Sequence, residues 1–425
     1  MDVGLPTHAI DRAFLSLERS RPDARWDTGG VAYLAGPPPG LADFRAYVAS
    51  RLAGLPALTH RLDTSTRRPR WRPNPGFAVE QHVHEAVADR AGGLPGALDA
   101  ALRAPLPDDT PWAIWLVHGH APDAYAVCYR FRHVCQDGVA AALAFRTLLG
   151  AGEAAVRPLP ARRGPGDLLR GAVLAAGLAC RFAFDVRPVR GRREAVPFVP
   201  TGERLLLRAR VPVGVLRRVG AAHGASPNDV HLAALCGALV AWSRQSGCAL
   251  PEAAALLPVD GRRHDEEQTW GNRCFAVPVR LPLAGLAPRQ RLELVAAATA
   301  KVKRGRRRRA IEDLVRFMPD GPTEWYMRRV TSPSVTALVA TTVPLAERGD
   351  LGVARVTGAA LLPLCLPGHL FGVGLAFFGE WAEASFVADR ALPGAELLPG
   401  LWEGAVAELD SEGPADGPSP RPPAP

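Results

Sequence analysis

The stretch AYAVCYRFRHVCQDGVAA, residues 124–141, predicts a strand, a loop and a helix in succession. In its first part every second residue is large and apolar, as in a strand that buries one face. These residues are Tyr125, Val127, Tyr129 and Phe131. The segment 139–149 is rich in alanine and leucine, which predicts a buried helix. His133 and Asp137 therefore lie in the connecting loop, a common location for catalytic side chains.

The spacing of His133 and Asp137 allows two interpretations. A histidine, whose pKa lies near neutrality, can take the proton of an alcohol or amine that attacks a thioester. Asp137 is too close in sequence to orient His133 in the usual way, so its carboxylate would instead pair with a distant arginine and fix the loop. Alternatively, Asp137 caps the following helix and His133 is an ordinary strand-end residue. The spacing alone favours the second interpretation.

The composition indicates a globular chain of two domains. A chain of 425 residues is longer than a single compact hydrophobic core usually accommodates. Its content of 48% hydrophobic and 22% charged residues excludes a disordered or fibrous protein. The net charge of +9 favours anionic partners. Seven cysteines without a CxxC pair argue against a zinc site and a disulfide framework. Without a recognisable signal peptide or spanning segment, we expect a cytoplasmic protein, with peripheral membrane contact left open.

Local patterns divide the chain into segments. We predict an N-terminal subdomain (1–155), a crossover rich in proline, glycine and arginine (156–200), a C-terminal subdomain (201–410) and a disordered proline-rich tail (411–425). Further predicted elements are a helix over 41–52, a helix that begins at Ser226 and ends near Trp242, a strand over 273–281 whose Pro278 indicates a sheet edge, and strands over 335–343 and 370–378.

Two other patterns are weaker indications of a binding site. The pairs His82/His84 and His118/His120 would each place two imidazoles on one strand face, but neither has a third ligand at a suitable spacing, so we expect no metal. The basic run KVKRGRRRR (301–309) suits the phosphates of coenzyme A or an anionic membrane. Aromatic residues are not interleaved with it, which disfavours nucleic acid. A solvated helix face explains the run equally well.

Segments spread over most of the chain resemble the bacterial wax ester synthase/diacylglycerol acyltransferase family, within the superfamily of condensation domains and chloramphenicol acetyltransferase-like enzymes. In chain order they are Asp11-Arg12-Ala13-Phe14, PRWRPNPGFAVEQHV (69–83), PLPDDTPWAIWLVHG (105–119), SPNDVHLAA (226–234), PVDGR (258–262) and Gly271-Asn272. The family signature HHxxxDG stands here as RHVCQDG, residues 132–138. The shared order favours the catalytic interpretation of His133.

The resemblance implies an α/β fold, with two chloramphenicol acetyltransferase-like domains of α+β two-layer sandwich type forming a V around a central active-site channel. It implies that His133 is the general base, that Gly138 lets backbone N–H groups approach the oxyanion, and that Asp137 pairs with Arg262 to hold the loop. Supporting positions, for which ordinary cap and turn roles are the alternative, are Asn228, Asp229 and Asn272. It implies no bound cofactor; the donor substrate would be acyl-CoA or an acyl-carrier protein.

Two departures from the family pattern concern the site. The first signature histidine is replaced by Arg132. Because successive strand residues point to opposite faces, Arg132 need not share a cavity with His133; if it does, its charge would favour the neutral imidazole. The family's later Ser-Asn-Val-Pro-Gly-Pro segment is represented only by Thr341-Thr342-Val343-Pro344, which leaves the preference for the acyl acceptor open.

Three functions remain as expectations. The favoured one is transfer of a fatty acyl group from acyl-CoA to diacylglycerol or a long-chain alcohol, which gives triacylglycerol or wax ester. The second is a condensation-type transfer in specialised metabolism, from a carrier-protein-bound donor to an amine or alcohol. The third is a non-catalytic relative that acts as a binding or scaffold protein, against which the joint presence of His133, Asp137 and Gly138 counts.

Overall fold

The computed structural model describes most of the chain outside the predicted crossover and tail. The described residues are 4–22, 24–66, 68–150, 166, 169–171, 173–174, 177, 187–188, 198–250, 252–266, 269–303, 305–344, 350–351 and 354–412. Most of the predicted crossover (156–200), and the tail after residue 412, lie outside these ranges. The predicted boundaries of the two subdomains stay a prediction.

The described residues of both halves mix strands and helices, which confirms the predicted α/β class. The strands are β1 (Leu5–Pro6), β2 (Asp27–Ala35), β3 (His60–Asp63), β4 (Arg70–Pro73), β5 (Val83–Val87), β6 (Trp112–Ala121), β7 (Ala124–Arg132), β8 (Arg204–Pro212), β9 (Ala253–Asp260), β10 (Cys274–Leu281), β11 (Leu338–Pro344), β12 (Asp350–Leu351), β13 (Ala354–Leu362), β14 (Phe371–Phe378) and β15 (Trp381–Asp389).

The principal helices flank these strands. They are α1 (Ala9–Ser20), α2 (Leu41–Arg51), α3 (Gly93–Arg103), α4 (Gly138–Leu148), α5 (Val213–Ala222), α6 (Pro227–Ser246), α7 (Pro288–Lys303), α8 (Gly305–Phe317), α9 (Asp320–Val330) and α10 (Leu398–Ser411). No helix among the described residues has both the length and the apolar character needed to cross a bilayer.

The described strands form two six-stranded sheets and one small sheet. The first large sheet has the order β12-β13-β2-β7-β6-β5, the second has the order β10-β9-β11-β14-β15-β8, and the small one is β1-β4-β3. Proline within β10 is tolerated because β10 is an edge strand, as Pro278 predicted.

Both faces of β7 are buried, and the two faces differ as the alternation predicts. The aromatic face packs in one core with Phe44 and Val48 of α2 and with Leu148 of α4. The face of small residues, Ala126 and Cys128, packs against α3. This double burial gives β7 a fixed register, so the loop that follows it is held in place.

Helix α6 begins where its capping pattern predicts. The Ser226 hydroxyl accepts a hydrogen bond from the Asp229 N–H, and the Asp229 carboxylate accepts one from the Ser226 N–H. The helix continues to Ser246, one turn beyond the predicted end, and Gly247 closes it in the left-handed conformation. Strand β11 starts later than predicted, at Leu338, because the preceding residues form a turn.

The two halves of the chain exchange elements. Strand β13, from the C-terminal half, pairs antiparallel with β2 from Leu362↔Gly29 to Arg355↔Ala35 and so joins the first sheet. In the opposite direction, Phe14 of α1 lies in a core with residues of β10 and with Tyr326 of α9. The loop after β7 therefore lies where the two halves meet.

Candidate functional site

A large cavity opens beside the loop that follows β7. It holds about 1380 Å³ of empty space, including its open mouth, and His133, Asp137 and Gly138 line it. The remaining walls come from β2 and α4 of the first half and from β9, β10, β11 and β13 of the second. Most lining side chains are apolar, and such a cavity suits a hydrocarbon chain.

His133 is fixed at the cavity wall by its backbone and by its ring. Its N–H donates to the Trp26 carbonyl at 2.9 Å, and its imidazole stacks on Phe14 with 4.1 Å between the ring centroids. Burial lowers the pKa of His133, and its interactions with Asp137 and Asn272 only partly oppose this shift. The imidazole is therefore neutral at pH 7 and able to accept a proton.

Asn272 determines which ring nitrogen of His133 carries the hydrogen. The Asn272 Nδ2 donates to the His133 carbonyl at 2.8 Å and to the Asp11 carboxylate at 2.9 Å. Both partners only accept hydrogen bonds in these contacts, so the amide orientation is assigned from them. The Asn272 Oδ1 then lies 3.0 Å from His133 Nδ1 and must accept its hydrogen. Nε2 is left with a free lone pair.

Asp11 holds Asn272 in turn. Its carboxylate accepts the Asn272 backbone N–H at 3.0 Å and the His8 N–H at 2.6 Å, in addition to the Asn272 side chain. Burial raises the pKa of Asp11, an effect that the nearby Arg273 and these hydrogen bonds partly oppose. Gly271 has a φ of 87°, a conformation that favours glycine, and this turn aims Asn272 at His133.

Asp137 and Arg262 form a buried two-bond ion pair, the contact that the resemblance implied. The Arg262 Nη1 and Nη2 donate to the Asp137 Oδ2 and Oδ1 at 2.9 and 3.0 Å. Asp137 also accepts the N–H groups of Ala140 and Arg273, at 3.0 and 2.7 Å. Burial would raise the pKa of Asp137, but Arg262 and these N–H groups together lower it. Asp137 is thus both the helix cap and the arginine partner, so the two interpretations of this residue are compatible.

Gly138 is the first residue of α4 and faces the cavity. A Cβ placed on it would meet only Val343, at 3.5 Å, so a small side chain fits but would project into the cavity. At the start of a helix the first N–H groups have no partner within the helix. The Ala140 N–H is taken by Asp137, which leaves the N–H groups of Gly138 and Val139 at the cavity wall.

Arg132 lies away from the cavity. Its guanidinium pairs with Glu18 of α1, and it is not among the residues that line the cavity. The lowered pKa of His133 therefore comes from burial and not from a neighbouring Arg132 cation.

The predicted supporting residues Asn228, Asp229 and Asn272 differ in what they contact. Asn228 accepts a hydrogen bond from Thr342, which lines the cavity, at 2.5 Å. Asp229 caps α6 and accepts the Thr299 hydroxyl at 2.6 Å, so it ties α6 to α7. Asn272 alone of the three contacts His133.

The histidine pairs have other partners. His82 stacks between Phe77 and Trp112, and its Nδ1 lies 2.8 Å from the Trp112 carbonyl, while His118 contacts Glu85. Within the described ranges, no three histidine, cysteine or acidic side chains are grouped as a metal would require. The side chains of residues 303–307, the centre of the basic run, lie outside the description.

Three residues that line the cavity or hold Asn272 are not among the predicted site residues. Phe14 and Asp11 were recognised only as parts of an opening helix, and Asp260 only as part of PVDGR. Asp11 contacts Asn272 across 261 residues of chain, a separation at which no local spacing could reveal the pairing.

Comparisons with known proteins agree with this arrangement. Residues 8–196 match the wax ester synthase/diacylglycerol acyltransferase catalytic domain. A probable diacylglycerol O-acyltransferase of Mycobacterium tuberculosis is 24% identical over 449 residues, covering 94% of each chain.

Two solved structures share the fold. The wax ester synthase/diacylglycerol acyltransferase from Marinobacter aquaeolei VT8 superposes with a TM-score of 0.66 at 17% identity, over 96% of this chain and 99% of that one. A starter condensation domain of rhizomide synthetase, a mutant in complex with C8-CoA and Leu-SNAC, gives a TM-score of 0.66 at 16% identity, over 96% and 94%. The predicted fold class is confirmed; the V-shaped arrangement stays a prediction.

Proposed function

We infer that the chain is an acyltransferase of the wax ester synthase/diacylglycerol acyltransferase family, whose catalytic-domain model matches residues 8–196. We propose that it moves a fatty acyl group from acyl-CoA to the hydroxyl of a lipid acceptor, with His133 as general base. The observation that carries this proposal is the hydrogen bond that His133 Nδ1 donates to Asn272 Oδ1, which leaves a basic Nε2 on a residue that lines a largely apolar cavity.

In the proposed mechanism, His133 Nε2 takes the proton of the acceptor hydroxyl as its oxygen attacks the thioester carbonyl. The oxyanion of the tetrahedral intermediate lies near the N-terminus of α4, where the N–H groups of Gly138 and Val139 and the helix dipole stabilise negative charge. The intermediate then expels the coenzyme A thiolate, which receives the proton from His133. No covalent acyl-enzyme is formed, and His133 ends neutral.

The experiment compares purified wild-type protein with His133→Ala, using labelled long-chain acyl-CoA with diacylglycerol or a long-chain alcohol. We expect ester from the wild type and a loss of roughly 10²–10⁴-fold in the variant. Equal ester formation by the variant would exclude His133 as the base. His223→Ala, at the end of α5 and outside the cavity, is the matched control and should retain full activity.

A carrier-protein-bound donor is the second candidate. The fold is shared with a condensation domain, and a shared fold does not fix the class of donor. Parallel assays with the same acyl group on coenzyme A and on a carrier protein distinguish the two. A product formed only from the carrier-protein donor would replace acyl-CoA in the proposal and leave the role of His133 intact.

A further inference from the structure

One carboxylate of the cavity, that of Asp260, has no assigned role. It lies at the end of β9 and lines the cavity together with Leu256 and Pro258 of the same strand. These three alternate residues lie on one face of β9. Leu256 and Pro258 form an apolar wall, and Asp260 places one negative charge at its end.

The two oxygens of Asp260 have different surroundings. Oδ1 accepts two hydrogen bonds from Arg262, from its backbone N–H and from Nη1, both at 3.1 Å. Oδ2 has no hydrogen-bond partner among the described residues. The side chain is 41% exposed even though its partner Arg262 is buried. The contacts with Arg262 hold the carboxylate in one orientation, with Oδ2 available to a ligand.

The charge of Asp260 is only partly compensated. Arg262 also donates two bonds to Asp137, so one guanidinium serves two carboxylates. Arg273 donates its Nη1 to the Asn272 carbonyl, and Asp11 is its main electrostatic partner. A ligand group with a polar hydrogen or a positive charge would therefore be stabilised beside Asp260.

Three of the hydroxyls that line the cavity are already engaged by the protein. The hydroxyls of Thr28, Thr331 and Thr342 donate to Leu362 O, Met327 O and Asn228 Oδ1. Asp260 Oδ2 and His133 Nε2 thus remain as strong acceptors toward a bound molecule. They are connected through Arg262, whose Nη1 donates both to Asp260 and to Asp137, and Asp137 follows His133 in the same loop.

We propose that Asp260 selects acceptors that carry a second hydrogen-bond donor, a hydroxyl or a protonated amine, next to the hydroxyl that is acylated. This inference rests on the proposed function and makes its acceptor class more specific. The reacting hydroxyl meets His133, the second donor meets Asp260 Oδ2, and the hydrocarbon chain follows Pro258 and Leu256. Long-chain vicinal diols and amino alcohols meet these requirements, whereas plain long-chain alcohols and diacylglycerol lack the second donor.

The test measures kcat/KM for hexadecanol, a vicinal hexadecanediol and the corresponding amino alcohol, with one labelled acyl-CoA. We expect the wild type to prefer both donor-bearing acceptors over hexadecanol by about 10- to 100-fold, as for a hydrogen bond to a charged group. Asp260→Leu should remove both preferences. Asp260→Asn separates the two donors: it should retain part of the diol preference and lose most of the amine preference.

The control is Asp63→Asn, a carboxylate that pairs with Arg72 at 2.8 Å outside the cavity, and it should leave all three ratios unchanged. Equal kcat/KM for the three acceptors in the wild type, or unchanged ratios in Asp260→Leu, would overturn the proposal. Calorimetric binding of hexadecanol and the amino alcohol provides a readout independent of turnover. If no ester forms at all, the proposed function fails. Tighter binding of the amino alcohol than of hexadecanol, lost in Asp260→Leu, would still support the acceptor site. Equal binding of the two compounds by the wild type would refute it.

Discussion

His133 combines two properties that a general base needs, a neutral ring and a defined tautomer. The first comes from burial against Phe14 and the second from Asn272. Neither depends on the carboxylate of Asp137, which is bonded to Arg262 and to backbone N–H groups. The usual arrangement of an aspartate that orients a histidine is thus replaced here by a neutral amide.

The proposed role of His133 as the base predicts how the reaction depends on pH. Because burial lowers the pKa of His133 below its usual value of about 6.5, the imidazole stays neutral until the pH falls below that value. We expect kcat/KM to be constant near neutrality and to fall on the acidic side with a midpoint below about 6.5. Phe14→Ala, which admits water to the ring, should move the midpoint upward. A pH profile of kcat/KM checks both, and a wild-type midpoint above 6.5 would contradict the assignment.

Removing the amide should affect the chemical step more than substrate binding. In Asn272→Ala the ring of His133 loses its only side-chain hydrogen bond among the described residues, so both tautomers and other orientations become populated. We expect kcat to fall by about 10²-fold with a small change in KM. Asn74→Ala, which removes a surface-turn asparagine, should leave both constants unchanged.

Nitrogen chemical shifts of His133 provide the direct readout for Asn272. We expect the Nδ1–H tautomer to dominate in the wild type and a mixture to appear in Asn272→Ala. The same tautomer ratio in both proteins would show that Asn272 acts only through packing.

The prediction of the site from sequence identified the residues within short motifs and one contact between motifs, but it missed the contact of Asn272 with His133. His133, Asp137 and Arg262 could be identified from the resemblance, and the expected ion pair is present. The contact of Asn272 with His133 spans 139 residues and depends on how α1 and the Gly271 turn pack together. Only the tertiary structure contains that information.

Helix α4 connects the stability of the fold to the site. Asp137 caps its N-terminus and at the same time binds Arg262 from the other half of the chain. The start of α4, which carries the proposed oxyanion donors, is thereby fixed from both sides. Capping patterns predicted the start of α6 equally well, because a cap is a local interaction.

A double-mutant cycle measures the Asp137–Arg262 pair. Arg262→Ala leaves the buried Asp137 carboxylate without its cation and should lower the free energy of unfolding by about 3–5 kcal/mol. Asp137→Ala should lower it by less, because Arg262 keeps the partly exposed Asp260 as a partner. The double variant should lose clearly less than the sum of the two. Chemical denaturation at pH 7 provides the values. The partly exposed pair Asp63–Arg72 is the control, and its coupling should be much smaller because solvent screens the two charges.

Acid should weaken the same pair. The folded-state pKa of Asp137 is lowered, so the carboxylate contributes stability above its unfolded pKa of about 3.9 and loses it as the pH falls through the lower, folded value. The stability difference between wild type and Asp137→Ala should therefore shrink below about pH 4. A difference that stays constant down to strongly acidic pH would contradict this.

The exchange of β13 and α1 makes the two halves dependent on each other. The first sheet contains a strand of the C-terminal half, and a core of the second half contains α1. Sequence periodicity predicts that such a segment is a strand or helix but not which partner it joins. A boundary drawn between residues 155 and 201 therefore separates segments of sequence that share sheets and cores.

We expect the protein to unfold in a single cooperative transition. Ile114→Ala in the core of the first sheet and Leu239→Ala in the core of the second should each lower the midpoint of the same transition. Calorimetry checks this through the ratio of calorimetric to van't Hoff enthalpy, which should be near one. Two resolved transitions, with only one moved by each substitution, would mean that the halves unfold independently.

The β2–β13 pairing also limits how this sequence can be recombined with those of its relatives. A chimera joined at the crossover would pair β2 of one parent with β13 of the other, along a register that runs from Gly29 to Ala35. Mismatched side chains along that seam would disturb a wall of the cavity, which β2 and β13 both line. Functional hybrids should therefore take β13 from the same parent as the N-terminal half. The segments that must be exchanged together are thus not continuous in sequence.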